Sequence, residues 1–236
     1  TQQQRWEQAC GILAEMPELA LKPDIICYGA AISACAKGAK WEWALAILAE
    51  MQELIVKPDM ISYSTAISAC AQGKQWDRGL AILEEMPEQK VKPSTMSYGA
   101  TMSACEAGAQ WHHALAILAE MPEEDLELDV ISSSVAISAC AKGEQWERAL
   151  GILMEMRVCN IEPNMITYSA TITASSKGQQ WEQALSMLME VRQQDLELDV
   201  ISYNAGVSAC ETGQQWEWAL VILSGMREDR LKPNVI

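Results

Sequence analysis

The 236-residue chain contains no run of 18 apolar residues, which excludes a membrane-spanning helix. It has no CxxC pair, and its only histidines are the adjacent His112 and His113. On a helix, adjacent side chains point about 100° apart and make a poor metal pair, so no metal site is expected. No phosphate-cradling glycine loop and no nucleophile–base set can be picked out. The chain therefore reads as non-enzymatic, although a catalytic domain outside this stretch stays open, and no cofactor is implied. Positive charge is also scarce. Lys and Arg number 17 against 32 acids, a net charge of −15, which argues against a generic polyanion binder. Half of the residues are hydrophobic, which excludes a disordered chain.

What is present is a period. Tryptophans at 6, 41, 76, 111, 146, 181 and 216 follow one another at intervals of 35 residues. Cys35, Cys70, Cys105, Cys140 and Cys210 keep the interval, as do Gly38, Gly73, Gly108, Gly143, Gly178 and Gly213. A fixed period of this size marks stacked repeats, in which each unit touches mainly its neighbours. The units read as a partial repeat at 1–24, full repeats at 25–59, 60–94, 95–129, 130–164, 165–199 and 200–234, and the start of another at 235–236. Because the chain opens with Thr1 inside a repeat, it is expected to be a piece of a longer protein, and a missing signal peptide carries little weight.

Residues 25–59 show what one unit builds. A first helix is expected from about Ile25 to Lys37, with Asp24 as N-cap and Gly38 as its C-terminal stop. A second is expected from about Trp41 to Glu53, where Trp41, Ala44, Leu45, Leu48 and Met51 form one apolar stripe. Pro58 blocks continuation. The unit is a helical hairpin. Gly29, Ala30, Ala31, Ser33, Ala34 and Cys35 make the first helix small-sided, so first helices can pack closely in an inner row. The second helices carry the bulk and the acids. The first 14 positions of the six full repeats hold a net charge of only +1, so the remainder of the chain holds −16. The expected result is a concave, nearly uncharged inner face and an acidic outer one.

Local departures are few. Tyr28, Tyr63, Tyr98, Tyr168 and Tyr203 share one position, which Ser133 takes in the fourth full repeat; Ser175 replaces the ladder cysteine in the fifth, and Leu128 and Leu198 replace the loop proline. The ladder cysteines would stand about 8–10 Å apart, one helix spacing, too far for disulfides. They read as small buried thiols.

The 35-residue hairpin resembles the pentatricopeptide repeat. In residues 200–234 the likeness rests on Ser202-Tyr203-Asn204, the Ala219-Leu220 pair, Met226 and Lys232-Pro233-Asn234. It holds in register along the chain, and the 35 spacing separates it from the 34-residue tetratricopeptide repeat. The resemblance implies an all-α fold, a right-handed superhelical α-solenoid of stacked antiparallel helix pairs. It also implies single-stranded RNA bound along the concave side, one base per repeat, in a mitochondrion or chloroplast. By the same resemblance, position 5 (Gly29, Ser64, Gly99, Ser134, Ser169, Asn204) and position 35 (Asp59, Ser94, Asp129, Asn164, Asp199, Asn234) select the base. Position 2 (Ile26, Ile61, Met96, Ile131, Ile166, Ile201) packs on its face. Lys37, Lys142 and Lys177 lie where phosphate would pass.

Each role has a plainer counterpart. Residues at position 35 precede helices and are preferred N-caps. Position 2 could be packing, and the lysines could be solvated charges near helix ends. Gly29 and Gly99 offer no side-chain hydrogen bond. Two functions therefore remain in view: an RNA-binding module, and a scaffold binding protein subunits of an organellar assembly.

Overall fold

The computed structural model describes residues 2–19, 21–54, 56–194 and 198–229. Among these the chain is helical throughout and no strand occurs. An opening helix α1 (Gln2–Glu18) precedes six antiparallel pairs. Their first helices are α2 (Ile25–Lys37), α4 (Met60–Gln72), α6 (Thr95–Ala107), α8 (Val130–Lys142), α10 (Met165–Lys177) and α12 (Val200–Thr212). Their second helices are α3 (Trp41–Glu53), α5 (Trp76–Glu88), α7 (Trp111–Glu123), α9 (Trp146–Val158), α11 (Trp181–Gln193) and α13 (Trp216–Glu228).

The helix starts follow from local chemistry. Each first helix begins after Asp24, Asp59, Ser94, Asp129, Asn164 or Asp199, whose extended backbone and side-chain oxygen satisfy an otherwise unpaired amide of the first turn. The second helices start without a side-chain cap. Most place an acid in the first turn instead, such as Glu42, Asp77 or Glu147, where the helix dipole favours negative charge.

Gly38 does follow the last residue of α2, but its φ of −87° lies outside the left-handed region. The left-handed residue is the next one, Ala39 at φ 52°, and Lys74, Ala109, Glu144, Gln179 and Gln214 repeat the pattern. There the chain turns back, with Lys40 N–H donating to Cys35 O at 2.9 Å. The glycine is required by space. A β-carbon at Gly38 would lie 2.8 Å from Cδ1 of Trp6, and one at Gly108 2.5 Å from Cδ1 of Trp76. Real Cβ contacts are not that short, so the tryptophan of one second helix packs on the glycine after the next first helix.

Packing divides the chain into two compact units, residues 1–127 and 128–236. In the first, α2 lies beside α4 and α4 beside α6; α3 sits against both α2 and α4, and α5 against both α4 and α6. In the second, α8, α10 and α12 form the row, with α9 and α11 seated in the same way. Small residues permit the row: Ala31, Ala66, Ala104, Ala136 and Ala174 are fully or almost fully buried. The second helices fill the core with Ile47, Leu48 and Met51 and their counterparts, such as Ile117, Leu118 and Met121. Burial of each such side chain stabilises by about 1.5–3 kcal/mol, so Met121→Ala would cost about 2–5 kcal/mol.

Tyr28, Tyr63, Tyr98 and Tyr168 are buried, and their hydroxyls donate to Glu50, Glu85, Glu120 and Glu190 at 2.9–3.4 Å. Part of the acidity of the second helices is therefore held in tyrosine hydrogen bonds. All eight cysteines are free, and the five of the ladder are buried. One thiol pair joins the ladder to a cysteine outside it: Cys10 of α1 stands with its Sγ 3.6 Å from that of Cys35.

Candidate nucleic-acid interface

In each unit the row of first helices presents a periodic apolar feature to solvent. Ile26, Ile61 and Met96 in the first unit are 75%, 58% and 58% exposed. Ile131, Ile166 and Ile201 in the second are 63–68% exposed. This corrects the alternative in which position 2 serves packing: these side chains are outside the core. Single exposed aliphatics are ordinary, but a row at one register of successive helices is a surface that gains from being covered. A flat, apolar occupant suits it.

Beside this row stand the position-35 residues, half-buried except for the exposed Asn164. Each is an N-cap, as the plainer reading held. Asp59 Oδ1 accepts from Ser62 N at 2.8 Å, Asp129 Oδ1 from Ser132 N at 2.7 Å, Asn164 Oδ1 from Thr167 N at 3.0 Å and Asp199 Oδ1 from Ser202 N at 2.8 Å. Ser94 Oγ accepts more weakly from Ser97 N at 3.4 Å. In the three aspartates and in Asn164 the cap engages one terminal atom, Oδ1. The other, Oδ2 or Nδ2, takes no part in it, so capping and base recognition are compatible in one side chain. Asn234 lies outside the described residues.

Position 5 divides into three kinds. Gly29 and Gly99 carry no side chain, and a β-carbon at Gly99 would meet nothing within 4 Å. Ser64 and Ser134 are buried, at 1% and 5% exposure. Their hydroxyls donate to the carbonyl one turn back, Met60 O at 2.7 Å and Val130 O at 2.5 Å. Ser169 and Asn204 are half-buried.

Sequence reasoning passed over position 3. Ser62, Ser97, Ser132, Thr167 and Ser202 occupy it, and all are buried. Ser97 Oγ lies 2.8 Å from Ser64 Oγ and 3.4 Å from Ser94 Oγ. Thr167 Oγ1 lies 2.8 Å from Ser134 Oγ and 3.0 Å from Asn164 Oδ1. The position-5 and position-35 residues of one repeat are thus brought together through a hydroxyl of the next. The signal was present as a hydroxyl residue in five of six repeats, with Cys27 the exception.

Lys37, Lys142 and Lys177 are exposed in the last turns of α2, α8 and α10. Eleven residues separate Ile26 from Lys37, about 17 Å along a helix axis. Each first helix therefore has an apolar and hydrogen-bonding end and, in these three cases, a basic end. Lys177 Nζ donates to Ala141 O at 3.2 Å, so it also satisfies a terminal carbonyl of the neighbouring helix. No group of acids, histidines or cysteines among the described residues could hold a metal ion, and no described helix is long and apolar enough to cross a membrane.

A family model described as the pentatricopeptide repeat domain matches residues 11–72, 46–107, 116–177 and 186–236. Among solved structures, the pentatricopeptide repeat protein PPR10 from maize is similar at a TM-score of 0.71 and 24% identity, over 98% of this chain and 33% of that one. The chain thus spans about a third of that protein's length. The structure of PPR10 in complex with an 18-nt psaJ RNA element is similar at a TM-score of 0.62 and 20% identity, over 98% of this chain and 37% of that one. The pentatricopeptide repeat domain of Arabidopsis thaliana protein-only RNase P 1 in complex with tRNA is similar at 0.64 and 15% identity, over 79% of this chain and 95% of that one. No curated protein matches the chain.

Proposed function

Since the chain belongs to the pentatricopeptide repeat family, we propose that it binds single-stranded RNA along its row of first helices, one base per repeat, in the RNA metabolism of a mitochondrion or chloroplast. The reading units are 25–59, 60–94, 95–129, 130–164, 165–199 and 200–234. The observation that carries this is the exposed aliphatic row at position 2, beside N-caps that keep one polar atom outside the cap. An aliphatic side chain covers the face of a base, and the polar atom beside it meets the base edge. Complexes of PPR10 with psaJ RNA, and of the RNase P 1 repeat domain with tRNA, support the reading at the level of the fold.

The family resemblance implies base choices from the pairs. Ser134 with Asn164 favours adenine, Ser169 with Asp199 favours guanine, and Asn204 with Asn234 favours a pyrimidine, cytosine before uracil. Ser64 with Ser94 fits a purine. Gly29 with Asp59 and Gly99 with Asp129 assign no base. Lys37, Lys142 and Lys177 meet phosphates. The direct test is binding of short single-stranded RNAs containing A-G-C at consecutive positions, against shuffled controls of equal composition. Equal binding of cognate and shuffled RNA refutes the reading.

A second reading, a scaffold for protein subunits, is favoured by the net charge of −15 and by the two glycine positions. It predicts co-purification with a protein assembly that survives nuclease treatment, which the RNA module does not.

A further inference from the structure

We infer that the hydroxyl at position 3 of one repeat, Thr167 for the pair Ser134 and Asn164, sharpens the base preference of the repeat before it by adding the second bond that holds the position-35 side chain with one terminal atom outward. The inference rests on the RNA reading above and adds a specificity-positioning residue that does not itself touch the base.

The geometry in the second unit is complete. Asn164 Oδ1 accepts two hydrogen bonds from Thr167, one from its N–H at 3.0 Å and one from Oγ1 at 3.0 Å. A carbonyl oxygen has two lone pairs, so Oδ1 is saturated. The amide cannot turn over without placing its NH2 group against a backbone N–H, donor against donor. Nδ2 therefore points away from the helix and offers N–H donors. The single proton of the Thr167 hydroxyl goes to Asn164 Oδ1. Its lone pairs accept from Asn164 N–H at 3.3 Å and face Ser134 Oγ at 2.8 Å. Ser134 in turn lies 2.5 Å from Val130 O. One hydroxyl thus holds Asn164, and the buried Ser134, whose own proton is committed to Val130 O, packs against that hydroxyl from behind.

The aspartate repeats use the same lock with the opposite result. Ser62 Oγ donates to Asp59 Oδ1 at 2.8 Å, Ser132 Oγ to Asp129 Oδ1 at 2.7 Å and Ser202 Oγ to Asp199 Oδ1 at 2.6 Å. Together with the backbone N–H, this commits Oδ1 to the helix and leaves Oδ2 outward, an acceptor. The outward atom is a donor after Asn164 and an acceptor after Asp59, Asp129 and Asp199. A donor matches the unprotonated N1 of adenine, and an acceptor matches the N1–H of guanine. The discrimination is only as sharp as the lock, because a side chain held by one bond samples orientations that a side chain held by two does not.

The experiment uses the whole chain and four RNA oligonucleotides differing only at the base opposite repeat 130–164, with wild type, Thr167→Val and Thr167→Ser. Valine keeps the shape and removes the hydroxyl. Wild type is expected to prefer adenine over guanine about tenfold, by analogy with a single mismatch in duplex readout. Thr167→Val should reduce the ratio to about twofold while binding the non-cognate RNAs as wild type does, and Thr167→Ser should restore it. An unchanged ratio in Thr167→Val overturns the inference, as does an equal loss of affinity for all four RNAs, which marks a purely structural hydroxyl. If wild type binds none of the four, or all four alike, the RNA reading fails and the inference falls with it. If Thr167→Val does not fold, Thr167→Ala is measured at the same base, where loss of preference supports the inference and retention overturns it.

Discussion

Gly73 lies against the indole of Trp41, 32 residues earlier in the chain: a β-carbon there would stand 3.0 Å from the ring's Nε1 and closer still to Cδ1 and Cγ. Gly178 with Trp146 and Gly213 with Trp181 make the same contact. Within each unit it keys a helix pair to the one before it, since the indole closes over the turn that follows the next first helix.

Gly73→Ala is therefore expected to destabilise the chain by about 1–3 kcal/mol, the cost of overpacking a site whose neighbour is a rigid ring. Gly99→Ala makes the contrast. Gly99 sits inside α6 with open space at its β-position and no positive φ, so alanine should stabilise by about 0.5–1 kcal/mol. Urea unfolding of both variants checks the pair, and equal shifts would show that the indole contact carries no weight.

The ladder thiols are expected to stay unreactive in the folded protein. Burial pushes Cys70, Cys105 and Cys140 up to about 11, and burial with the neighbouring Cys10 pushes Cys35 up to about 12. Little thiolate exists at neutral pH, so a thiol reagent should reach these four only after denaturation.

The same shifts make stability fall in alkali. A thiol raised above its unfolded value holds its proton in the native state after the unfolded chain has lost it. The native state then binds more protons, and unfolding becomes easier as pH rises. Tyr98 adds to this, raised to about 12 by burial and by the Glu120 carboxylate. The contribution is complete below about pH 8.5, the ordinary thiol value, and declines as pH climbs toward 11. Thermal melts at pH 7, 9 and 10 should show a progressive fall that weakens when Cys70 and Cys105 are replaced by alanine.

RNA affinity should respond weakly to salt. Three lysines, at about 0.7 per phosphate contact on a single strand, give a log–log slope near 2. A much steeper slope in a titration from 50 to 200 mM salt would assign binding to another basic surface.

Asp199→Asn should change base choice at little cost in stability. Asn retains an Oδ1 for Ser202 N–H and Oγ, both now bonded to Asp199 Oδ1, while its outward atom turns from acceptor to donor. The fifth full repeat should move from guanine toward adenine by about 1 kcal/mol, the low end for one mismatch in duplex readout. Competition between RNAs differing at that base measures it, and an unchanged order would leave Asp199 as a cap alone.

The sequence by itself determined the helices and their caps. Asp24, Asp59 and Asn164 cap amides three residues ahead, and the apolar stripes of α3 and its counterparts repeat every turn. The caps act within about four residues, and the stripes are visible in a window of about 11–18 residues. The period then set which helices are neighbours. The tertiary structure decided what those neighbours do to one another. Left-handed turns fall on Ala39 and Lys74, while the preceding glycines are there because an indole from the previous pair occupies the space a β-carbon would need. Cys10 and Cys35 meet, although only one of them keeps the 35-residue period. Ser134 reaches Asn164 only through Thr167, 33 residues beyond the serine. These contacts join residues 25 to 33 positions apart, and their chemistry depends on ångström-scale placement of stacked helices that no local pattern encodes.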